Sequence, residues 1–559
     1  MTQRIFIGVA WPYANGPLHL GHIAGAGIAP DIFARYHRLK GNEVLMVSGS
    51  DQHGTPITIR AEQEGKTPKA VAEHYHKSFV DSLVKMGISF DLFTSTETNN
   101  HQNVAHDIFL KLLDKGYIYK DNQSLPYCEN CKRFLPDRYV EGTCPNCGFE
   151  NSRGDQCDEC GKPLNASELK NLRCNICGNT PHFVESEHYL LRLSAFNDKL
   201  LDWVKQKTHF RKNAQNFTLR LLKEGLHDRA ITRDIEWGIP VPVPDFENKR
   251  LYVWFEAVIG YLSASKEWAK SMGDDDKWRD FWTGGCKSYY FVGKDNIPFH
   301  TIIWPAMLMG YGDLNLPYDV PANEYLTLEG RQFSTSRNWA VWLPYYLEKY
   351  PPDPLRYLLS INMPETNDAD FSWREYVRRN NDELVATYGN LVHRVLTFTY
   401  RNYDGCVPEH GEYDQLSKAL LAESSKTLGT VDHMLSHCQF RAAVREIMSL
   451  AQKANQYLDE SAPWKKIKED IAITANILNV VIEVICCLKT VLHPFIPFSS
   501  QKLHNLLGFE GKLEDHGWAI NRPAAGQKLL KPEPLFAKLD EDVVKKETEI
   551  LLAGQKESL

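Results

Sequence analysis

The sequence predicts an α/β protein: a parallel sheet, split by a metal-binding insertion and followed by an α-helical bundle. Three observations carry this. A β-branched and aromatic run at residues 3 to 11 leads through a loop into a helix pattern and then a second such run, Glu43 to Ser48. Four Cys-x-x-Cys dyads crowd between Cys128 and Cys177. Beyond about Asn380, apolar residues recur at helical spacing almost to the end.

Taken in order, the first strand stops at Pro12-Tyr13-Ala14-Asn15-Gly16, and a helix runs on through Arg35. The second strand ends at Gly49-Ser50-Asp51, and helices are expected from about Thr67 to Tyr119. The cysteine-rich, loop-rich segment reaches about Asn179; Ser194 to Glu224 then reads as helix. Strands resume at Leu251-Tyr252-Val253-Trp254 and at Tyr289 to Gly293. The expected units are a sheet domain at 1–118 and 226–325, an insertion at 119–225, a smaller module at 326–385 and a helical domain at 386–559. The tail from Leu539 reads as an amphipathic helix that packs back on the body.

With 559 residues, the chain has room for about three or four domains. Lysine and arginine (64) against aspartate and glutamate (71) leave −7, which gives no global basic footprint for nucleic acid. Charge alone therefore argues against such a partner, although Phe196 to Glu224 carries seven Lys/Arg against three Asp/Glu. No targeting segment is visible, and the apolar stretch Ile471 to Phe498 is broken by Asn476, Asn479, Glu483 and Lys489, as in a core helix. A cytoplasmic protein with no membrane partner is expected. Eight of thirteen cysteines form the dyads, and in a reducing compartment clustered dyads favour thiolate–metal bonds over disulfides. Cys286, Cys406, Cys438, Cys486 and Cys487 read as ordinary buried thiols.

The chemistry begins after the first strand. His19-Leu20-Gly21-His22 opens a helix, with both histidines on one face of its first turn. Free N–H groups and the helix dipole favour an anion there, and Gly21 lets a planar group approach the backbone. Such a site suits a phosphoryl-transfer transition state. The four dyads allow two tetrahedral Cys₄ zinc sites, structural because no open position remains. Sequence alone leaves three ways to pair them.

These segments, in this order, resemble the methionyl-tRNA synthetases of the class I aminoacyl-tRNA synthetases. The run Pro12 to Gly16 joined to His-Leu-Gly-His resembles their HIGH signature. Ser50 to Pro56, Leu226 to Arg229 with Thr232-Arg233-Asp234, Trp237 to Pro240, Trp254 to Ala257, and Gly293-Lys294-Asp295 with Phe299-His300 follow collinearly. The resemblance covers nearly the whole chain. It implies a Rossmann-like fold and an α-helical anticodon-binding bundle. The implied reaction is attack of the methionine carboxylate on the α-phosphorus of ATP, taken with Mg²⁺, to give methionyl-adenylate and pyrophosphate. Transfer to the 3′ end of tRNA(Met) follows.

The resemblance also implies roles. His19, Gly21 and His22 would hold ATP phosphates, and Gly293 and Asp295 the ribose hydroxyls. Asp51 would bind the substrate ammonium, helped by the backbone at Ala10 and Trp11. Tyr13, Trp254, Ala257, Tyr261 and His300 would line the thioether pocket, as would Trp304, which taken singly reads as core packing. Zinc would sit in nested pairs: Cys144/Cys147 with Cys157/Cys160 inside, Cys128/Cys131 with Cys174/Cys177 outside. Asn390, Arg394, Pro463 and Trp464 would read the anticodon, and the chain would act as a monomer.

One signature departs from the family. Its KMSKS loop corresponds here to Gln332-Phe333-Ser334-Thr335-Ser336, and both lysines are absent. Hydroxyls and N–H groups of Phe333 to Ser336 are then expected to contact ATP, with Thr335 and Arg337, or Arg331, supplying the catalytic contribution. Residues 119 to 225 are too few and too cysteine-rich for the editing insertion of the leucyl, isoleucyl and valyl enzymes. Two other readings are a zinc-knuckle RNA-binding protein without catalysis and a nucleotidylyltransferase of the same superfamily. The first is motivated by the altered loop; the insertion and bundle argue against the second.

Overall fold

The computed structural model describes residues 2–335 and 337–557. The chain starts with β1 (Arg4–Val9), whose Ile5, Ile7 and Val9 face one apolar layer and Phe6 the other. After the loop, a helical turn at Leu20–His22 and a π-helical stretch at Ile23–Gly27 run into α1 (Ile28–Leu39). Next come β2 (Glu43–Ser50) and β3 (Leu92–Ser95). The stretch read as helix from Thr67 to Tyr119 is thus two helices, Pro68–Met86 and Asn99–Asp114, with a strand between them. Four residues are too few for a visible alternation. The strand is set by pairing with β2, and just before it the Asp91 carboxylate accepts the Met46 N–H at 2.7 Å.

The insertion stands on a long antiparallel pair, β4 (Ile118–Cys128) and β5 (His182–Leu191), in register from Ile118 opposite Leu191 to Tyr127 opposite His182. The cysteine-rich segment hangs from its far end. The run read as a strand at Leu251 to Trp254 is corrected. Only Arg250–Leu251 pair, with Thr232–Arg233, and the chain then turns into α2 (Val253–Ala257). The Tyr252 carbonyl accepts the N–H groups of Phe255 and Glu256, and burial of Val253 and Phe255 outweighs their β preference. The sheet resumes with β6 (Lys287–Gly293) and β7 (Ala322–Asn323). Its order is β7-β6-β1-β2-β3, all parallel, so the order reverses between β1 and β6. In such sheets the ligand crevice opens there, outside the carboxyl ends of the strands.

Beyond the sheet lie α3 (Pro352–Ile361), the helical bundle containing α4 (Ile471–Leu492), and α5 (Asp542–Glu557). By length and composition α4 is apolar enough to cross a membrane, but 72% of its apolar window is buried within the protein. It is the bundle's core helix. The tail helix packs back as its amphipathic pattern predicts: Tyr345 and Tyr350 both donate to the buried Glu547 carboxylate. Arg356 of α3 joins the layers. Wholly buried, it donates to Asp31 of α1 at 2.5 Å and to the carbonyls of Pro494, Phe495 and Met86. Burial opposes ionisation of Asp31, but Arg35, Arg356 and Ser89 outweigh it and hold the carboxyl well below its usual range.

Candidate active site

Crevice residues come from the carboxyl ends of β1, β2 and β6. At the start of the helix after β1, His19 Nδ1 accepts the Gly21 N–H and His22 Nδ1 accepts the His19 N–H, both at 3.1 Å. The two imidazoles stack 3.8 Å apart. Two N–H groups expected to be free for an anion are therefore taken by the histidines themselves. Burial pushes both imidazoles down, His22 to about 4 and His19 well below 6.5 with added repulsion from His22. Both are neutral at pH 7, and with Nδ1 accepting, each presents its Nε2–H as a donor.

Gly21 serves a close approach, though by residues of the chain itself. A Cβ there would lie 2.9 Å from the His19 ring and 3.4 Å from Phe333. Phe333 stacks on His19 at 4.9 Å and 12°. The arm beyond it is pinned to the same segment by Leu20 N–H to the Val341 carbonyl and Leu343 N–H to the Leu18 carbonyl. Ser334 and Trp339 exchange backbone bonds, Arg331 lies over the Trp339 ring, and Arg337 donates its N–H to Ser334 Oγ. Thr335 and Arg337 are exposed. Ser336 lies outside the described residues.

On the other side, Asp51 ends β2 and is tied to the loop after β1 by Asp51 N–H to Pro12 and Ala14 N–H to Asp51. Its buried carboxylate accepts the His53 N–H at 3.2 Å. Burial, then the neighbouring Glu256, push its pKa well above the usual carboxylate value. His300 donates Nδ1–H to the Asn296 carbonyl, so Nε2 accepts the Tyr261 hydroxyl at 2.7 Å. Burial lowers His300 to about 4, keeping it neutral.

Trp254 stacks on Phe299 at 4.2 Å and meets Tyr13 edge-on at 5.9 Å. Trp11 stands in a slot between Gly49 and Gly260; a Cβ on Gly260 would lie 2.8 Å from its ring. The Ala10 N–H extends β1 to the Phe291 carbonyl, and Ala257 is buried on α2. Trp304 belongs to the core instead, wholly buried with its Nε1–H on Tyr290 Oη and its ring against Trp282. Gly293 ends β6, and the Asp295 carboxylate beyond it accepts the Tyr325 hydroxyl.

Sequence reasoning missed the residues behind Asp51. His53, Glu97, Glu256 and His101 form a continuous chain of short hydrogen bonds, and the only signal for it in the sequence is that His53 and Glu256 fall within two of the collinear segments. It also missed Arg138 and Gln156, which bring the insertion onto the crevice: Arg138 lies over the Tyr13 ring, and Gln156 donates to the Asp295 carbonyl.

The eight dyad cysteines gather in the nested arrangement, Cys128, Cys131, Cys174 and Cys177 in one group and Cys144, Cys147, Cys157 and Cys160 in the other. No disulfide joins them, and Sγ atoms approach to 3.5 Å (Cys128–Cys177), 3.8 Å (Cys131–Cys174) and 3.6 Å (Cys147–Cys157). Tetrahedral zinc at about 2.3 Å from each sulfur separates sulfurs by about 3.8 Å, so both groups fit the ion. Each dyad is followed by a residue at positive φ, Gly148, Gly161 and Gly178 in three knuckles and Lys132 in the fourth.

Comparison with known proteins is decisive. A family model described as "tRNA synthetases class I (M)" matches residues 5–396, and one for the "Anticodon binding domain of methionyl tRNA ligase" matches 407–557. The chain belongs to the methionyl-tRNA synthetase family. The methionine–tRNA ligase of Dehalococcoides mccartyi strain 195 is 62% identical over 548 residues, covering 98% of this chain and 99% of that protein. That of Thermomicrobium roseum is 51% identical over 581 residues, covering 99% and 100%. Mycobacterium tuberculosis methionyl-tRNA synthetase in complex with methionyl-adenylate superposes with a TM-score of 0.81 at 27% identity, over 96% of this chain and 100% of that one.

As a methionyl-tRNA synthetase, the chain joins methionine to tRNA with ATP. Arg394, just before the stretch that matches the anticodon-binding domain, sets its guanidinium 5.0 Å from the centre of the Trp464 ring within that stretch, and pairs with Asp459 at 3.2 Å. Trp464, which its helical context alone would bury, is 39% exposed. Asn390 is exposed one turn before Arg394, and Pro463 is buried. In the basic stretch 196–224, Lys207 and Arg211 turn inward, to the Tyr318 carbonyl and to Asn323.

Proposed function

We propose that the crevice divides its work between two walls. The observation that carries this is that His19 and His22, two neutral donors, and Asp51, a buried carboxylate with a single hydrogen-bond donor on it among the described residues, close the same strand-end crevice. The Nε2–H groups of His19 and His22, with Gly21 between them, stabilise charge on the ATP phosphates as the methionine carboxylate attacks the α-phosphorus and pyrophosphate departs. No covalent enzyme intermediate is required, so catalysis is positioning and electrostatics. Gly293 and Asp295 take the ribose. Asp51 binds the ammonium, with Ala10 and Trp11 backbone groups beside it. Tyr13, Trp254, Ala257, Tyr261 and His300 enclose the thioether, where each sulfur–aromatic contact contributes about 0.3–1.5 kcal/mol.

Phe333, Ser334 and Thr335 cover the triphosphate, and Arg337, with Thr335, supplies what the absent lysines do not. Mg²⁺ accompanies ATP, and structural zinc fills both Cys₄ sites. The units are 1–118 and 226–325 for the catalytic sheet, 119–225 for the insertion, 326–385 for the loop and stem-contact module, and 386–559 for anticodon binding, where Asn390, Arg394, Pro463 and Trp464 meet the bases. The protein works as a cytoplasmic monomer. Methionine-dependent ATP–pyrophosphate exchange tests the assignment: His19→Ala and Asp51→Asn should each abolish it. An Arg331→Ala/Arg337→Ala double variant that exchanges normally would remove the arginine role.

A further inference from the structure

Behind the ammonium-binding carboxylate lies a buried ionic chain that the reaction as described does not use. His53 sits two residues beyond Asp51 at the end of β2 and is almost fully buried. Its Nδ1 meets Glu256 Oε1 of α2 at 2.7 Å, and its Nε2 meets Glu97 Oε2, just after β3, at 2.8 Å. Two carboxylates can only accept, so both ring nitrogens donate and the ring is an imidazolium. Glu256 has no exposed surface; its second oxygen meets His101 Nε2 at 2.7 Å, and His101 Nδ1 meets Ser263.

We propose that His53, clamped between Glu256 and Glu97, is a positioning residue that keeps Asp51 ionised and aimed for the methionine ammonium. This rests on the assignment of Asp51 to that ammonium. Asp51 lies in a buried site beside a second negative charge, Glu256, and both disfavour its ionisation. His53 counters in two ways. Its backbone N–H fixes one Asp51 oxygen, leaving the other for the substrate, and its ring charge offsets Glu256. The groups around His53 agree with a held proton: burial pulls the imidazole down, but Glu256, Glu97 and Asp51 raise it to about 10. Trp237 meets the ring edge-on at 5.6 Å, and the Arg138 charge acts on Asp51 in the same sense as His53.

The test uses the full-length enzyme and two ligands: L-methionine, and desamino-methionine, which keeps thioether and carboxylate but lacks the ammonium. In His53→Gln, the Kd for methionine should rise about 10- to 100-fold, the range for losing charge assistance on one hydrogen bond, while desamino-methionine binds as before. Equal weakening of both would overturn the proposal, since it reports a collapsed pocket. Wild-type enzyme that binds both ligands equally would remove the Asp51 assignment itself. Glu97→Gln, a change at a side chain 30% exposed, decides the matter if His53→Gln does not fold. The alkaline limb of kcat/KM for methionine should then move below the limb set by the substrate amine, with KM for ATP unchanged. A profile superimposable on wild type would also overturn the proposal.

Discussion

The Phe333 ring lies parallel to the His19 imidazole, 4.9 Å away and 12° from coplanar, so the lysine-free loop touches the His-Leu-Gly-His segment through an aromatic face. His19 is itself stacked on His22, and the three rings form one pile. A stack of this kind contributes about 0.5–1.5 kcal/mol beyond burial. Phe333 therefore bears directly on the orientation of the His19 ring.

Phe333→Ala should therefore raise KM for ATP by about 2- to 10-fold, the equivalent of that stack, and leave KM for methionine unchanged. Steady-state pyrophosphate exchange with each substrate varied in turn measures both. A parallel rise in the two constants would mean that Phe333 only supports the fold.

The buried histidines give stability a two-sided dependence on pH. His22 and His300 are held near 4, below the ordinary 6.5, so between these values the unfolded chain binds more protons than the folded one. Their contribution is complete above 6.5 and lost as pH falls toward 4. His53, raised to about 10, acts oppositely: its contribution is complete below 6.5 and lost as pH rises through 10. Urea midpoints should peak near neutrality and drop by at least about 1 kcal/mol of stability at about pH 5 and about pH 9. In His53→Gln the alkaline arm should flatten and the acid arm remain.

What was legible in the sequence follows the range of the forces involved. The strands flanking the crevice and the Cys-x-x-Cys spacing are local patterns, and they fall where their spacing predicts. Leu251 to Trp254 misled because β-branched and aromatic residues serve a buried short helix as readily as a strand, and core packing of Val253 and Phe255 decided it. Leu92 to Ser95 were missed because only their partner strand makes them a strand. The His53–Glu256 contact spans 203 residues and His101–Glu256 spans 155; no local pattern announces either. The pattern marks Gly21 as a close-approach position, but the approaching rings belong to His19 and Phe333.

The nested cysteine groups predict separable metal sites. The inner group is tied to the crevice: Gln156, adjacent to Cys157, donates to the Asp295 carbonyl, and Asp155 accepts from Tyr252. Cys157→Ser should lower zinc content from about two to about one per chain, because a Cys₄ site short of one thiolate loses most of its affinity while the other group is intact. Metal analysis after gel filtration gives the count. Retention of two zinc ions would contradict the assignment of separate Cys₄ sites.

The role proposed for Trp464 allows anticodon recognition to be separated from catalysis. Its ring is 39% exposed, with the Arg394 guanidinium over one face, itself held by Asp459. An exposed indole braced in this way is a stacking platform for a splayed base, and such stacking contributes about 1–3 kcal/mol. Trp464→Ala should raise KM for tRNA by about 5- to 150-fold and leave pyrophosphate exchange, which needs no tRNA, at the wild-type rate. Binding should also depend only weakly on salt, because in a chain of net charge −7 acidic residues outnumber the basic ones, and two cations of its basic stretch, Lys207 and Arg211, are turned inward. Filter binding across a salt series, on wild type and variant together, reads both quantities. A steep salt slope with Trp464→Ala unaffected would place recognition on the backbone and not on the bases.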